Sequence, residues 1–422
     1  MRRSRLVVLC ALVLTGLFMV GDVALAKMTT INVVSCAGIN ATVMRRVKDL
    51  FEKENPDIKV NVIEIPWSGI QEKQLLELAS RKGSYDAVMH TLSFFPQYVV
   101  RDYLEPLDKY ISNPKLTPKF FQMSDFIPSL VEEGNTYQGK VYGIPFGTFP
   151  QLLFYRPDLL EKYNVPVPKT LDEFLVAAEK LTVDENKDGK PEVYGTTIQG
   201  MPCGAGGNTW HWYPYLFSFG GSILDAKGRP VLDSKEAVAA LEFYKKLYEF
   251  SPQEAINYGC DQATGAAQEG NIAMLTQDSD QSQMLLTAPK PYKAALFPAG
   301  PSGRHVLVGS WSLSINKMSR NKEATWKFIA YATASPEAMR IYAEEGLIPA
   351  KISALTGDLA QLNPVFPLIV ETLKGGKGVP KIDAYTKIED VISVAIPKVL
   401  SGQLSPKEAL AQANKEISEF LK

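Results

Sequence analysis

The chain is poor in the residues on which most enzymes and metalloproteins depend. Its 422 residues include three histidines, His90, His211 and His305, and four cysteines. The histidines lack metal-ligand spacing, and no C-x-x-C, H-E-x-x-H, G-x-S-x-G or Walker A segment occurs. The chain also lacks a charge surplus: 45 Lys and Arg stand against 46 Asp and Glu, for a formal net charge of −1. That balance, with no polybasic block, excludes the electrostatic signature of a nucleic-acid or anionic-lipid binder. There is no internal repeat, low-complexity tract or flexible linker. Beyond the N-terminal region no apolar run approaches the roughly 20 residues needed to span a bilayer.

What is present begins with a leader. Arg2, Arg3 and Arg5 precede the apolar stretch Leu6 to Val20, and Ala24-Leu25-Ala26 supplies the small-x-small pattern of a cleavage site. Residues 1–26 are therefore read as a signal peptide for general secretion, cleaved after Ala26, rather than as an anchor. Cys10 lies too early for a lipoprotein, and Cys36 sits beyond Asp22 and Lys27 in a predicted strand, so no lipidation is expected. Cys36, Cys203 and Cys260 remain, too sparse for a disulfide scaffold. Whether Cys203 and Cys260 pair stays open.

Periodicity then alternates between strand and helix. Ile31 to Ser35 reads as a buried strand, Val43 to Glu54 as a helix, Lys59 to Ile65 as an alternating strand, Ile70 to Ser80 as a helix and Tyr85 to Met89 as a strand. This order predicts an α/β fold with a parallel sheet. Ligands of such sheets meet the loops at the carboxyl ends of the strands, here those starting at Cys36, Pro66 and His90. A second α/β unit follows Phe149. It includes a helix from Leu171 to Leu181 with a capping box of Thr170 and Glu173, and another from Lys235 to Phe250 capped by Ser234.

Several segments, in order, carry a resemblance. Tyr142-Gly143-Ile144-Pro145, Phe154-Tyr155-Arg156-Pro157-Asp158-Leu159-Leu160 and Pro168-Lys169-Thr170-Leu171-Asp172-Glu173-Phe174 come first. Phe219-Gly220-Gly221, Gly270 to Met274, Gly309 to Asn316, and Leu400-Ser401-Gly402 with Glu408-Ala409-Leu410 follow. Together they resemble the extracellular solute-binding proteins of the maltose-binding type over nearly all of the mature chain. Arg156 departs from the asparagine usual in that family. The resemblance implies a two-lobed periplasmic binding protein fold of type II, each lobe a mainly parallel sheet flanked by helices. It implies lobes of residues 27–148 plus 305–355 and 149–304 plus 356–422, joined by a hinge that closes on a ligand. It further implies a monomeric, non-enzymatic periplasmic protein without cofactors. Such a protein delivers a mono- or oligosaccharide, or a sugar alcohol, to the permease subunits and ATPase of an ABC importer.

A sugar presents apolar C–H faces and hydroxyl groups, so its site should combine aromatic platforms with polar side chains. Trp67 follows the second strand directly, and Asn40 follows the first, where helix capping alone would also explain it. Asn208, Trp210 and Trp212 belong to the densest aromatic and polar cluster, residues 206–213. Ser310 and Trp311 open a late strand, whereas Trp326 reads as core. The resemblance adds His90, Ser93, Phe149, Asp278, Asp280 and Tyr385 as ligand-facing positions. Asp184, Asn186 and Asp188 match the opening of a calcium loop, but Gly195 stands where the twelfth-position glutamate belongs; a polar turn explains the run equally. The runner-up ligand is a charged solute such as a polyamine or glycerol phosphate ester. The alternative of another class is a secreted glycoside hydrolase pairing Asp278 with Glu64.

Overall fold

A computed structural model describes residues 28–202 and 207–421. The leader and Cys203 lie outside the described residues. Among the described residues no helix is long and apolar enough to cross a membrane.

The first lobe is built on a five-stranded sheet. Its first strand in the chain, Thr29–Cys36, is interior to the sheet and buries Ile31, Val33, Val34 and Cys36, as a strand covered on both faces must. It pairs in parallel with Ile58–Ile65 from Thr29↔Ile58 to Cys36↔Ile65, and with Ala87–His90 on its other side. Ile58–Ile65 forms the edge, so it keeps a solvated face and alternates in burial. The helices Ile39–Glu54 and Trp67–Ser80 are the crossovers; Val43, Val47 and Phe51 of the first one face the core. All three parallel strands therefore point their carboxyl ends at one side of the lobe.

Two later segments complete this sheet. Ser310–Ile315 runs antiparallel to both Ala87–His90 and Ile144–Thr148, with a bulge between Trp311 and Ser312. The first lobe is thus assembled from distant parts of the chain. After Thr148 the chain crosses to the second lobe, and the return at Gly309 packs against that crossing. The Phe149 N–H donates to the Gly309 carbonyl at 3.0 Å, and Thr148 Oγ1 donates to the same oxygen at 2.7 Å. A Cβ on Gly309 would stand 2.7 Å from the Phe149 ring, so the close approach requires glycine. A third crossing lies alongside, where Val306–Leu307 pairs in parallel with Gly376–Lys377.

The second lobe departs from the expected mainly parallel sheet. Gln151–Tyr155 is its central strand and pairs antiparallel with both Met274–Asp278 and Lys293–Ala295. The chain enters this sheet through its central strand, and both later strands run counter to it. Cys260–Glu269 and Ser282–Leu286 pack on this sheet, and the helices Leu171–Leu181, Gly207–Ser218, Lys235–Glu249, Tyr385–Leu400 and Pro406–Phe420 pack on one another in the same lobe. Thr170 and Glu173 form the expected reciprocal capping box, and Ser234 accepts from the Ala237 N–H. Arg156, the unusual residue of its motif, is buried; it donates to the Asp158 carboxylate and the Gly270 carbonyl, tying the entry strand to the turn before Met274–Asp278. Trp326 is in the core, its indole donating to Thr117 Oγ1 at 3.0 Å.

Candidate functional site

Between the lobes, at the carboxyl ends of the parallel strands, lies a cavity of about 900 Å³. Asn40, Trp67, Thr91, Phe94 and Trp311 line it from the first lobe; Gln199, Trp210, His211, Asp278 and Asp280 line it from the second, with Phe149 at the crossing. The aromatic rings form one continuous run. Phe94 stacks on Trp67 at 5.2 Å between ring centroids, and Trp67 meets Trp311 edge-on at 5.5 Å. Trp311 lies 5.0 Å from Phe149, which stacks on Trp210 at 5.4 Å. Trp67 is 37% exposed, so a large apolar surface remains open to a ligand.

The second-lobe side is acidic. Strand register sets Gln151 opposite Asp278, and Gln151 Nε2 donates to Asp278 Oδ1 at 2.6 Å. Burial and the charge of Asp280 push the Asp278 carboxyl well above the usual range, against the pull of that hydrogen bond. Asp280 is pushed up by burial, with a further contribution from Asp261. His211 Nε2 lies 3.6 Å from Asp278 Oδ2, yet burial lowers His211 to about 3 and keeps the imidazole neutral.

Behind the Trp210 platform stands Glu389. Its Oε1 accepts from Trp210 Nε1 and Tyr385 OH, each at 3.1 Å, and from Ser93 Oγ and Thr209 Oγ1, each at 3.3 Å. Ser93 belongs to the first lobe and the others to the second, so one carboxylate oxygen is shared across the cleft. Burial pushes Glu389 up to about 7, although the hydrogen bonds pull it down.

The structure thus brings Asn40, Trp67, Phe149, Trp210, Asp278, Asp280 and Trp311 to one cavity. Ser93 and Tyr385 lie one layer back, on Glu389, and support the Trp210 ring from behind. The remaining positions stand off the cavity. His90 is 1% exposed; its Nε2 is 2.8 Å from Ser314 Oγ and its ring lies on Phe95, so it is a core histidine lowered by burial to about 3. Asn208 spends its amide on the Gly200 and Ser393 carbonyls and accepts from Ser393 Oγ, joining two helices. Ser310 Oγ pairs with Ser312 Oγ inside the sheet. Trp212 is fully buried, because residues 210 and 212 point to different sides of one helix. Asp184 and Asp188 each accept a backbone N–H, from Gly189 and Lys190, and Asn186 accepts from the Asp188 N–H, so the calcium-like segment is a self-closed polar turn. Among the described residues no group of three or more His, Cys, Asp or Glu could hold a metal. Cys260 Sγ lies 3.6 Å from Gln277 Oε1, and pairing with Cys203 falls outside the described residues.

Glu389 and His211 were not among the residues expected to matter. Glu389 had a readable signal: Tyr385, Glu389 and Ser393 recur at helical spacing on a buried face, with Thr386 and Asp390 beside them on the cavity side.

Comparison with known proteins agrees with this architecture. The family profile for the bacterial extracellular solute-binding protein matches residues 37–339. The mannitol-binding protein of Pseudomonas aeruginosa is 23% identical over 410 residues, covering 90% of each chain. Maltose-bound MalE3 of T. maritima matches with a TM-score of 0.78 at 27% identity, covering 93% of this chain and 100% of that one. A solute-binding protein of Agrobacterium radiobacter K84, in complex with ribitol, shares the fold with a TM-score of 0.80 at 24% identity, over 94% of this chain and 99% of that one. The chain belongs to the bacterial extracellular solute-binding protein family.

Proposed function

We propose that this family member binds a sugar or sugar alcohol between its lobes and hands it to the membrane permease of an ABC importer. The continuous aromatic run from Phe94 to Trp210, facing hydrogen-bonding groups across the cavity, is the observation that carries this reading. Aromatic faces take the C–H surfaces of a carbohydrate, and amides and carboxylates take its hydroxyls. Trp67, Trp311, Phe149 and Trp210 would form the platforms, with Asn40, His211, Asp278 and Asp280 as polar contacts. The ligands of the relatives, mannitol, maltose and ribitol, support the same class. A phosphate ester is disfavoured because no lysine or arginine is among the described lining residues.

The lobes of this reading are residues 27–148 plus 305–375 and residues 149–304 plus 376–422: Ile352–Thr356 packs against Phe366–Leu373, so the last crossing falls at Gly376 and not after residue 355. Their closure would be a hinge motion about the crossings at Thr148–Phe149, Gly309 and Gly376, driven by contacts made only in the closed state. The protein acts as a periplasmic, non-lipidated monomer that carries its ligand unchanged.

A thermal-shift screen of sugars and sugar alcohols tests the proposal. A ligand at a hundredfold excess over its Kd adds about 2.7 kcal/mol to native-state stability. At least one carbohydrate or polyol should raise the melting temperature, and Trp67→Ala should shrink that rise. Stabilisation confined to compounds without hydroxyl groups would overturn the reading, as would turnover of a glycoside.

A further inference from the structure

The charge of the cleft departs from that of the chain. The whole sequence is balanced, with 45 basic and 46 acidic residues. The described lining residues of the cleft nevertheless include Glu72, Asp261, Asp278, Asp280 and Asp390, and no lysine or arginine. Among the described residues none of these five carboxylates has a lysine or arginine within ion-pair distance; the sole such contact is the neutral His211 against Asp278. A separate surface cavity mixes the signs, with Arg46, Arg340 and Lys351 beside Asp49, Glu337 and Glu344. Uncompensated acidity therefore belongs to the cleft and not to cavities of this protein in general.

Hydrogen bonding shows the same one-sided need. Among the described residues Asn40 Oδ1 and Gln151 Oε1 are buried acceptors without a partner, and His211 Nδ1, which accepts or donates according to tautomer, is a third unpartnered atom. Asn40 lines the cleft, and Gln151 is bound through its amide nitrogen to Asp278 at the cleft wall. A buried polar group without a partner is costly, and clustered carboxylates in a partly desolvated space repel one another unless countered. The cleft thus combines unpartnered acceptors with carboxylates that no lysine or arginine of the described lining counters. An ammonium group supplies three donors, no acceptor and a unit charge. The half-exposed indole of Trp67 and its neighbour Trp311 add ring faces that attract a cation.

We propose that the preferred ligand is a carbohydrate bearing a protonated amine, an amino sugar or an amino-substituted sugar alcohol, whose ammonium is held by Asp278 and Asp280. The proposal rests on the carbohydrate reading above and names the substrate class within it.

Isothermal titration of the full chain against matched pairs tests it: D-glucose with D-glucosamine, D-sorbitol with 1-amino-1-deoxy-D-sorbitol, and further neutral and amino partners on other carbon skeletons. Spermidine serves as a cation without hydroxyl groups. In pairs that bind, the amino member should bind at least about tenfold tighter. Asp280→Asn should shrink that preference, and Asp261→Asn, at the exposed rim, should shrink it less; melting temperatures check that both variants fold. If the neutral member of each pair binds as tightly as its amino partner, the amine proposal is overturned while the carbohydrate reading stands. Binding of spermidine with no response to any sugar or polyol would overturn both.

Discussion

The two walls of the candidate cleft are built from different chemistry. The first-lobe wall presents Trp67, Phe94 and Trp311, with a single carboxylate, Glu72, at its edge. The second-lobe wall presents Asp261, Asp278, Asp280 and Asp390 around one ring, Trp210. One wall supplies apolar surface with little directional demand, and the other supplies charge and hydrogen bonds that must be matched. Affinity should therefore depend on the first wall, and selectivity among similar polyhydroxylated ligands on the second. The walls also differ in how far their rings are buried. Trp67 keeps an open face, whereas Trp210 is 6% exposed, stacked on Phe149 and bonded to Glu389.

Removing Trp212 attacks the second wall from behind and should have the largest effect. It is fully buried on the helix that carries Trp210. Trp212→Ala should cost about 3–5 kcal/mol of stability. Denaturant titration measures that loss, and a near-native midpoint would show that the helix does not depend on the core contact. Next comes Trp67→Ala on the first wall. It should weaken ligand binding about thirtyfold, or about 2 kcal/mol, with little change in the melting temperature of the free protein. A large drop in unliganded stability would instead make Trp67 a packing residue.

Glu389→Gln tests the layer behind the second wall through pH. Burial raises the folded-state pKa from 4.5 to about 7, so the native state holds the proton more tightly than the unfolded chain does. That stabilisation is complete below pH 4.5 and is lost as the pH rises through 7. Tyr213, Tyr385, Ser93, Thr209 and Trp210 face the carboxyl, and none of them supplies a positive charge. His90 and His211 act in the opposite sense: held low by burial, they stabilise above pH 6.5 and cost stability as the pH falls toward 3. The comparison is therefore wild type minus variant. Relative to wild type, Glu389→Gln should gain stability progressively between pH 4.5 and 8; parallel stability curves would contradict the assignment. The smallest effect belongs to Glu72→Gln. An exposed rim charge should change affinity by about twofold, and only at low salt. A larger change in titration calorimetry would move Glu72 into the contact layer.

Much of this was legible along the chain because local patterns are enforced locally. The Thr170 and Glu173 capping box, the Ser234 cap and the β-branched run of the first strand each satisfy neighbouring backbone groups, so a few adjacent residues are enough to specify them. Trp67, directly after a strand, could be assigned to the cleft side for the same reason. His90 and Asn208 could not be judged, because burial depends on partners far away: Ser314 is 224 residues from the one, and Ser393 is 185 from the other. Glu389 escaped notice since its partners come from three separate segments.

By itself the sequence determined the strand and helix order, the caps, the charge balance of the chain and the family to which it belongs. These are properties of neighbouring residues and of motif order, and they survive without coordinates. Tertiary structure alone decided which of two tryptophans on one helix meets the cleft and which the core. It also decided that the second-lobe sheet runs antiparallel, and that five acids gather where no lysine or arginine lines the wall. Helix rotation, strand direction and the meeting of distant loops are set by packing, which joins residues that the chain keeps apart.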